Sequence, residues 1–262
     1  MTRVNDSPIL LEHSGAISRI RFNRPDALNA INSEMAAAFL AACQEVAARR
    51  QTRVLVLSGQ GRGFMAGGDI AQFREAPESI VSELIEPMNQ AMLLLSELDV
   101  PVVASLQGAV AGAGMSIALA CDLAIAASSC RFNFAYLKLG ASCDLGGSWH
   151  LPRLVGLRKA LEIALLNEPI DAQQAQALGL VNRVVPNEQL EEVTQCFVER
   201  LCNSAPLAQG QMKRLMRQSL ARDLDHQLEA EKVAFARCAE SPDFQEAVSA
   251  FVEKRPPRFA VQ

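Results

Sequence analysis

Two glycine-rich segments and one isolated carboxylate hold most of the chemical potential of this 262-residue chain. The first segment, Gly59-Gln-Gly61-Arg-Gly63-Phe-Met-Ala66-Gly67-Gly68-Asp69, follows an apolar run at 54–57, and the second, Gly108 to Gly114, follows another at 101–106. Glycine at this density lets bare backbone approach a ligand. A pair of amide N–H groups aimed into one pocket stabilises negative charge developing on a carbonyl oxygen, and losing one such donor typically costs about 3–4 kcal/mol of transition-state energy. A helix opening at Gly114 adds a favourable dipole. Each loop alone could be a tight turn, but two loops that follow apolar strands in the same way fit that reading less well.

Asp144, in Ser142-Cys143-Asp144-Leu145-Gly146-Gly147, reads from local preference as a helix N-cap. A Ser/His/Asp hydrolase can be assembled on paper from Ser116, Asp144 and His150. Ser116 lies in Ala-Gly-Met-Ser-Ile-Ala, however, so no strained Gly-x-Ser-x-Gly elbow presents its hydroxyl. A hydroxyl bonded within its own helix, or lining a pocket, is the simpler reading. Gly61-x-Gly63-x-x-Ala66 formally matches a dinucleotide fingerprint, but the loop runs on through Gly67-Gly68-Asp69 without entering a helix, and the acidic residue that would hold a ribose is missing. With three His, and seven Cys lacking any C-x-x-C pair, no metal site is expected.

The elements that must position these groups alternate. Residues 9–13 and 16–22 read as a hairpin leading into an Asn23-Arg24-Pro25-Asp26 turn. From Ser33 to Arg49 apolar residues recur at helical spacing behind a possible Asn32 cap. Strand, glycine loop and helix follow at 54–98 and again at 101–121, with a further strand at 122–127. This repetition predicts an α/β layer architecture with buried strands. Beyond Gly156 the pattern is mostly helical, with a short strand at 180–185 and a boundary near Asn203-Ser204, so we divide the chain into a core at 1–203 and a helical region at 204–262.

Composition narrows the class. Charged residues make up 21%, and the net charge of −4 offers no electrostatic case for nucleic acid or an anionic membrane. The stretch 100–121 carries no charge and is long enough for a membrane span. Pro101, Gln107, three glycines and the lack of Lys/Arg or aromatic anchors make buried core the better reading. Residues 1–8 hold no apolar run that could act as a secretory signal, so a cytoplasmic protein is expected.

In its ordered motifs the chain resembles the enoyl-CoA hydratase/isomerase (crotonase) superfamily. They are Asn23-Arg-Pro-Asp-Ala27-Leu28-Asn-Ala30, Phe64-Met-Ala66-Gly67-Gly68-Asp69-Ile70, Gly108-Ala-Val-Ala-Gly112-Ala113-Gly114, Cys121-Asp-Leu-Ala124, Asp144-Leu-Gly-Gly147, Ala177-Leu-Gly-Leu-Val181 and Phe251-Val-Glu-Lys254-Arg255. The resemblance implies a spiral of ββα repeats with a C-terminal helical trimerisation region, assembled as a homotrimer or as a hexamer of paired trimers. It also implies an acyl-CoA thioester substrate, coenzyme A entering as part of that substrate and no separate cofactor. By position the amides of Gly68 and Ala113 would hold the thioester carbonyl. Arg24, Ala27, Leu28, Ala66, Gly67, Asp69 and Ile70 would line the CoA moiety, and Phe251 and Lys254 would reach a neighbouring subunit's ligand.

At the acid/base positions the chain departs from the family's hydratases. Where these carry two glutamates it has Ser116 and Tyr136, neither a ready carboxylate base at neutral pH. Asp144 remains, placed as in the family's double-bond isomerases, including the dienoyl-CoA isomerases and the ring-1,2-epoxyphenylacetyl-CoA isomerases. The resemblance therefore implies isomerisation, with Asp144 moving a proton while Gly68 and Ala113 hold the enolate and Ser116 and Tyr136 line the pocket. An apolar setting that includes Leu145 and Trp149 should raise the Asp144 pKa. His150 is a further pocket candidate. The alternatives are a hydratase without the glutamate pair, an acyl-CoA thioester hydrolase and a non-catalytic CoA-ester-binding subunit.

Overall fold

The computed structural model describes residues 7–259, so the reading of a missing secretory signal rests mostly on residues outside those described. Strands β1 (Ile9–Ser14) and β2 (Ile17–Phe22) form the expected hairpin, and α1 (Ser33–Ala48) starts at Asn32, whose side chain accepts the Met35 amide. β3 (Val54–Gly59), the short α2 (Ile70–Glu75), α3 (Glu86–Glu97), β4 (Val102–Leu106), β5 (Ala109–Ala111), α4 (Ala113–Ala120), β6 (Leu123–Ala127) and β7 (Arg131–Asn133) follow. The chain continues through α5 (Gly147–Val155), α6 (Leu157–Leu166), β8 (Ile170–Asp171), α7 (Ala172–Ala177), β9 (Arg183–Val185) and α8 (Leu190–Cys202). It then runs through α9 (Pro206–Gln218), α10 (Leu224–Ala239) and α11 (Pro242–Val252).

The main sheet has the order β1-β2-β3-β4-β6-β9, parallel throughout except for the β1–β2 hairpin. Its register shows why the central strands carry no charge. Ser105 faces Thr194 of α8 at 3.0 Å, and Arg19, one strand-repeat away on the same face, reaches Gln195 of α8. Phe22 points to the opposite face and packs on Phe39 of α1 at 5.3 Å between ring centroids. Covered on both faces, β4 is buried at every position, as a parallel strand under two helical layers must be. The uncharged stretch 100–121 is thus β4, a loop holding β5, and a fully buried α4. Among the described residues no helix is long and apolar enough to cross a membrane.

Several expectations need correction. The second glycine segment is not all loop, because Ala109–Ala111 pairs with β7, which pairs with β8, to make a second three-stranded sheet. Runs of two or three residues are too short for any periodicity to announce them. The helix expected from Glu78 begins as a short 3₁₀ turn and a π-helical stretch, and regular α-helix starts only at Glu86, beside Pro87. The strand expected at 180–185 pairs only over Arg183–Val185.

After the Asn203–Ser204 break, α9 is pinned to the edge of the core. Asp122 takes Lys213 Nζ at 2.8 Å and Arg217 at 2.6 Å, while Lys213 and Arg217 also donate to the Val100 and Ala120 carbonyls. The Lys213 side chain is only 7% exposed, so removing its partner strands a buried charge. An Asp122→Ala variant should lose about 3–5 kcal/mol of stability in a denaturant titration. An unchanged midpoint would mean that α9 is held by its apolar face alone.

Candidate active site

The two glycine loops are joined through backbone. Met65 and Val110 form a parallel bridge, with Met65 N–H donating to Ala109 O at 3.0 Å and Ala111 N–H to Met65 O at 2.9 Å. The first loop is fixed on its other side too, since Ile31 N–H donates to Gly67 O and Asp69 N–H to Ile31 O, both at 2.8 Å. In that parallel geometry Ile31 bonds the residues on either side of Gly68, so the Gly68 N–H faces away from the bridge. Gly67 and Gly112 come together with positive φ, +108° and +52°, conformations that side chains rarely adopt. Gly112 caps α4, so Ala113 supplies the helix's first N–H, which has no intrahelical acceptor.

Asn29 and Arg24 hold the entry segment. The buried Asn29 amide donates to the carbonyls of Gln60, Gly63 and Phe64 at 2.9–3.1 Å, and its oxygen accepts the Arg24 N–H. Arg24 pairs with Asp69 at 2.9 Å and donates to Ala30 O, while Leu28 O accepts the Ala66 amide. The segments holding Arg24, Ala27 and Leu28 and Ala66 to Ile70 are therefore neighbours. Burial pushes the Asp69 carboxyl upward, but the Arg24 guanidinium and the amides of Ala71 and Gln72 outweigh it and hold the pKa below the usual value. Asn29 is a residue the sequence reading missed, and its run of backbone acceptors arises only in the folded loop.

The residues at the expected acid/base positions gather near the first turn of α4. Tyr136 Oη donates to Asp144 Oδ1 at 2.5 Å, and Ser116 Oγ lies 2.9 Å from Tyr136 Oη. Since the tyrosine proton is committed to Asp144, the Ser116 hydroxyl donates to Tyr136. Burial raises the Asp144 pKa, only partly offset by the Tyr136 hydrogen bond. Burial and the adjacent Asp144 charge also raise the Tyr136 pKa, so the phenol stays protonated. Two further asparagines place this group: Asn133 and Asn167 both accept the Ala135 N–H at 2.8 Å, and the Asn133 carbonyl accepts the Gly112 amide at 2.9 Å. One residue thus ties the Tyr136 turn to the second glycine loop.

Asp144 does not cap α5, because Gly146 occupies that place and no side chain bonds the first turn. Ser116 is wholly buried, and its hydroxyl turns to Tyr136 rather than to a histidine, so the paper triad is not built. Leu145 is buried as expected, but Trp149 is 54% exposed beneath the Arg153 guanidinium and is not the buried wall expected beside Asp144. His150, its pKa pushed down to about 4 by burial and by Arg217 and Arg153, lines a groove of about 1200 Å³ together with Leu145, Trp149, Lys213 and Arg217. That groove includes none of Gly68, Ala113 and Asp144. Ile70 is half exposed, and Phe251, 84% exposed at the end of α11, and Lys254 are left on the surface by a single chain.

A sheet with two glycine loops joined through backbone and a half-buried carboxyl beside them defines an enzyme of the crotonase fold class. The sequence pattern of the enoyl-CoA hydratase/isomerase family matches residues 12–262, and the chain belongs to that family. It is 36% identical to the 1,2-epoxyphenylacetyl-CoA isomerase of Escherichia coli over 96% of this chain and 97% of that one. It is 32% identical to the short-chain-enoyl-CoA hydratase of Clostridium acetobutylicum over 94% and 95%. The crystal structure of the Bacillus anthracis enoyl-CoA hydratase superposes with a TM-score of 0.92 at 29% identity, covering 97% of this chain and 100% of that one.

Proposed function

We propose that the protein isomerises an acyl-CoA thioester by moving a double bond, or rearranging a ring, through a single carboxylate. One observation carries this reading: the positions where family hydratases would place two glutamates hold Ser116 and Tyr136, hydrogen-bonded in series to Asp144. The thioester oxygen is held by the Gly68 and Ala113 amides. Asp144 removes a proton from the acyl chain, the electron pair passes into the thioester carbonyl as an enolate, and Asp144 returns the proton to another carbon. A pKa raised by burial suits a group that must both take and give a proton near neutrality. Arg24, Ala27, Leu28, Ala66, Gly67, Asp69 and Ile70 line the CoA path. Arg24 serves it first by fixing the loop through Asp69.

The active form in this reading is a homotrimer or a pair of trimers. Exposed Leu154, Leu157, Leu161 and Leu165 on α5 and α6, and Phe251 and Val252 on α11, support it as surfaces in need of a partner. Phe251 and Lys254 then meet a neighbour's ligand.

The test is a panel of enoyl-, dienoyl- and aryl-CoA thioesters incubated in deuterium oxide and followed by mass spectrometry. An isomerase incorporates deuterium without gaining the mass of water. Water addition in place of exchange makes the protein a hydratase, and release of free CoA makes it a thioesterase. The first loop offers a second check. A methyl group on Gly68 would fall 2.2 Å from the Phe73 ring, so Gly68→Ala must displace either the ring or the amide. Turnover in that variant should fall by about 10²-fold; an unchanged rate would remove Gly68 from the site.

A further inference from the structure

Asp144 has two carboxylate oxygens, and the structure treats them differently. Oδ1 is occupied at 2.5 Å by the Tyr136 hydroxyl, which is itself backed by the Ser116 hydroxyl at 2.9 Å. Ser116 is 0% exposed and Tyr136 8%, so water does not compete for the bond between the two hydroxyls, while the bond to Asp144 is half-buried. The Tyr136 ring is also fixed edge-on against Phe134, with centroids 5.1 Å apart. Room for the chain comes from a neighbour of Asp144 itself: a Cβ on Gly147 would lie 2.6 Å from Ser116 Oγ and 3.0 Å from the Phe134 ring. A side chain there would strike Ser116 and the ring that backs Tyr136. Ser116 stands one helical turn after Ala113, so the chain measures off the position of Asp144 from the amide that receives the substrate carbonyl.

We propose that Ser116 and Tyr136 are positioning residues, a fixed one-way hydroxyl chain that reserves Oδ1 of Asp144 and leaves Oδ2 as the oxygen that takes and returns the substrate proton. The proposal deepens the isomerase reading and rests on it. During the reaction Oδ2 forms an O–H bond as the substrate C–H bond breaks, and the electron pair moves to the thioester oxygen at the Gly68 and Ala113 amides. The reverse steps on another carbon restore the carboxylate. The tyrosine keeps its proton throughout and donates to Oδ1 in both states. This holds the free oxygen at one angle and stops the carboxyl from rotating the acid proton away from the substrate. Side chains that touch substrate in hydratases of this fold would here act through Asp144.

Among the described residues, Tyr136 is the one titratable side chain whose charge or hydrogen bond acts on Asp144; the other influences are burial and its own amide. Tyr136→Phe removes the donor that favours the ionised carboxylate, so the Asp144 titration must move upward. Ser116→Ala weakens the tyrosine as a donor and should move it less, in the same direction. The measurement is the carboxyl C=O infrared band of the full-length protein against pH, assigned by its loss in Asp144→Asn. Folding of each variant is checked by circular dichroism. With an active substrate in hand, Tyr136→Phe should also lower kcat about tenfold or more, as expected for a lost hydrogen bond to a charged group, with KM little changed. Its pH profile should move with the band.

An Asp144 midpoint that stays put in folded Tyr136→Phe overturns the proposal. If that variant does not fold, Ser116→Ala decides: an upward shift supports the chain and an unmoved midpoint rejects it. The infrared titration needs no turnover. A protein that catalyses no exchange would therefore end the isomerase reading while the positioning result stood or fell on its own.

Discussion

Replacing Asp144 by Asn is expected to reduce solvent-deuterium exchange into a bound acyl-CoA by about 10⁴-fold, the upper range for a positioned acid/base group. The change is nearly isosteric. The Asn carbonyl can still accept the Tyr136 hydroxyl that now reaches Asp144 at 2.5 Å, so what disappears is the exchangeable proton and not the local packing. The same variant should be more stable than the parent at neutral and alkaline pH. Burial raises the Asp144 pKa above that of an unfolded chain, so between the two values the folded state binds more protons and stability falls as pH rises. Above the folded pKa the full desolvation cost of the half-buried carboxylate is present, whereas below the ordinary carboxylate range it is gone. Thermal midpoints of Asp144→Asn and the parent should thus converge on acidification and separate above it, the Asn form being higher. Undiminished exchange in the variant would remove Asp144 from the mechanism. A parent that is more stable than the variant at high pH would contradict the burial argument.

The second large effect is expected from Ala113→Pro. Ala113 is the first residue of α4, where proline's fixed φ is already helical and its missing N–H costs the helix no hydrogen bond. The preceding residue is normally forced toward extended backbone, but Gly112 at φ +52°, ψ −123° sits in the mirror image of that region, which only glycine enters freely. Ser116 N–H still donates to Gly112 O, so the first turn keeps its closing bond. The substitution therefore deletes one amide donor and little else. If that amide holds the enolate oxygen, kcat falls by about 10²–10³-fold. Stability by circular dichroism should change far less. A folded variant with parental turnover would mean that the carbonyl is held elsewhere.

Much of the frame could be read from residue order. The hairpin, α1 with its Asn32 cap, β3, β4 and the late helices followed from apolar spacing, because each is long enough to repeat its period. The second sheet was hidden, since its strands have two or three residues each. In the site, two loops presenting bare backbone followed from glycine spacing, whereas the particular amides, Gly68 and Ala113, and a role for Asp144 came only from the family resemblance. Local preference taken alone favoured a cap at Asp144, and Gly146 takes that place. Trp149 illustrates the opposite failure. A large apolar residue five positions from Asp144 looked like a wall for it, but the turn at 145–146 and the start of α5 leave the ring half exposed, stacked under Arg153. Asn29, Asn133 and Asn167 could not be found from sequence, because what they do is bond backbone carbonyls and amides that tertiary structure alone brings within reach.

The bridges Ile31–Gly68 and Met65–Val110 give the site an unusual division of labour. The two glycine loops are joined to each other and to Ile31 by main-chain hydrogen bonds, whose geometry does not depend on which side chains occupy 116, 136 or 144. The proton-handling half is all side chain. In the proposed reading, a lineage can exchange glutamates for a serine, a tyrosine and an aspartate without rebuilding the loops, and every intermediate sequence keeps the same backbone. Such a scaffold is free to change which bond it breaks while keeping the activated state it stabilises.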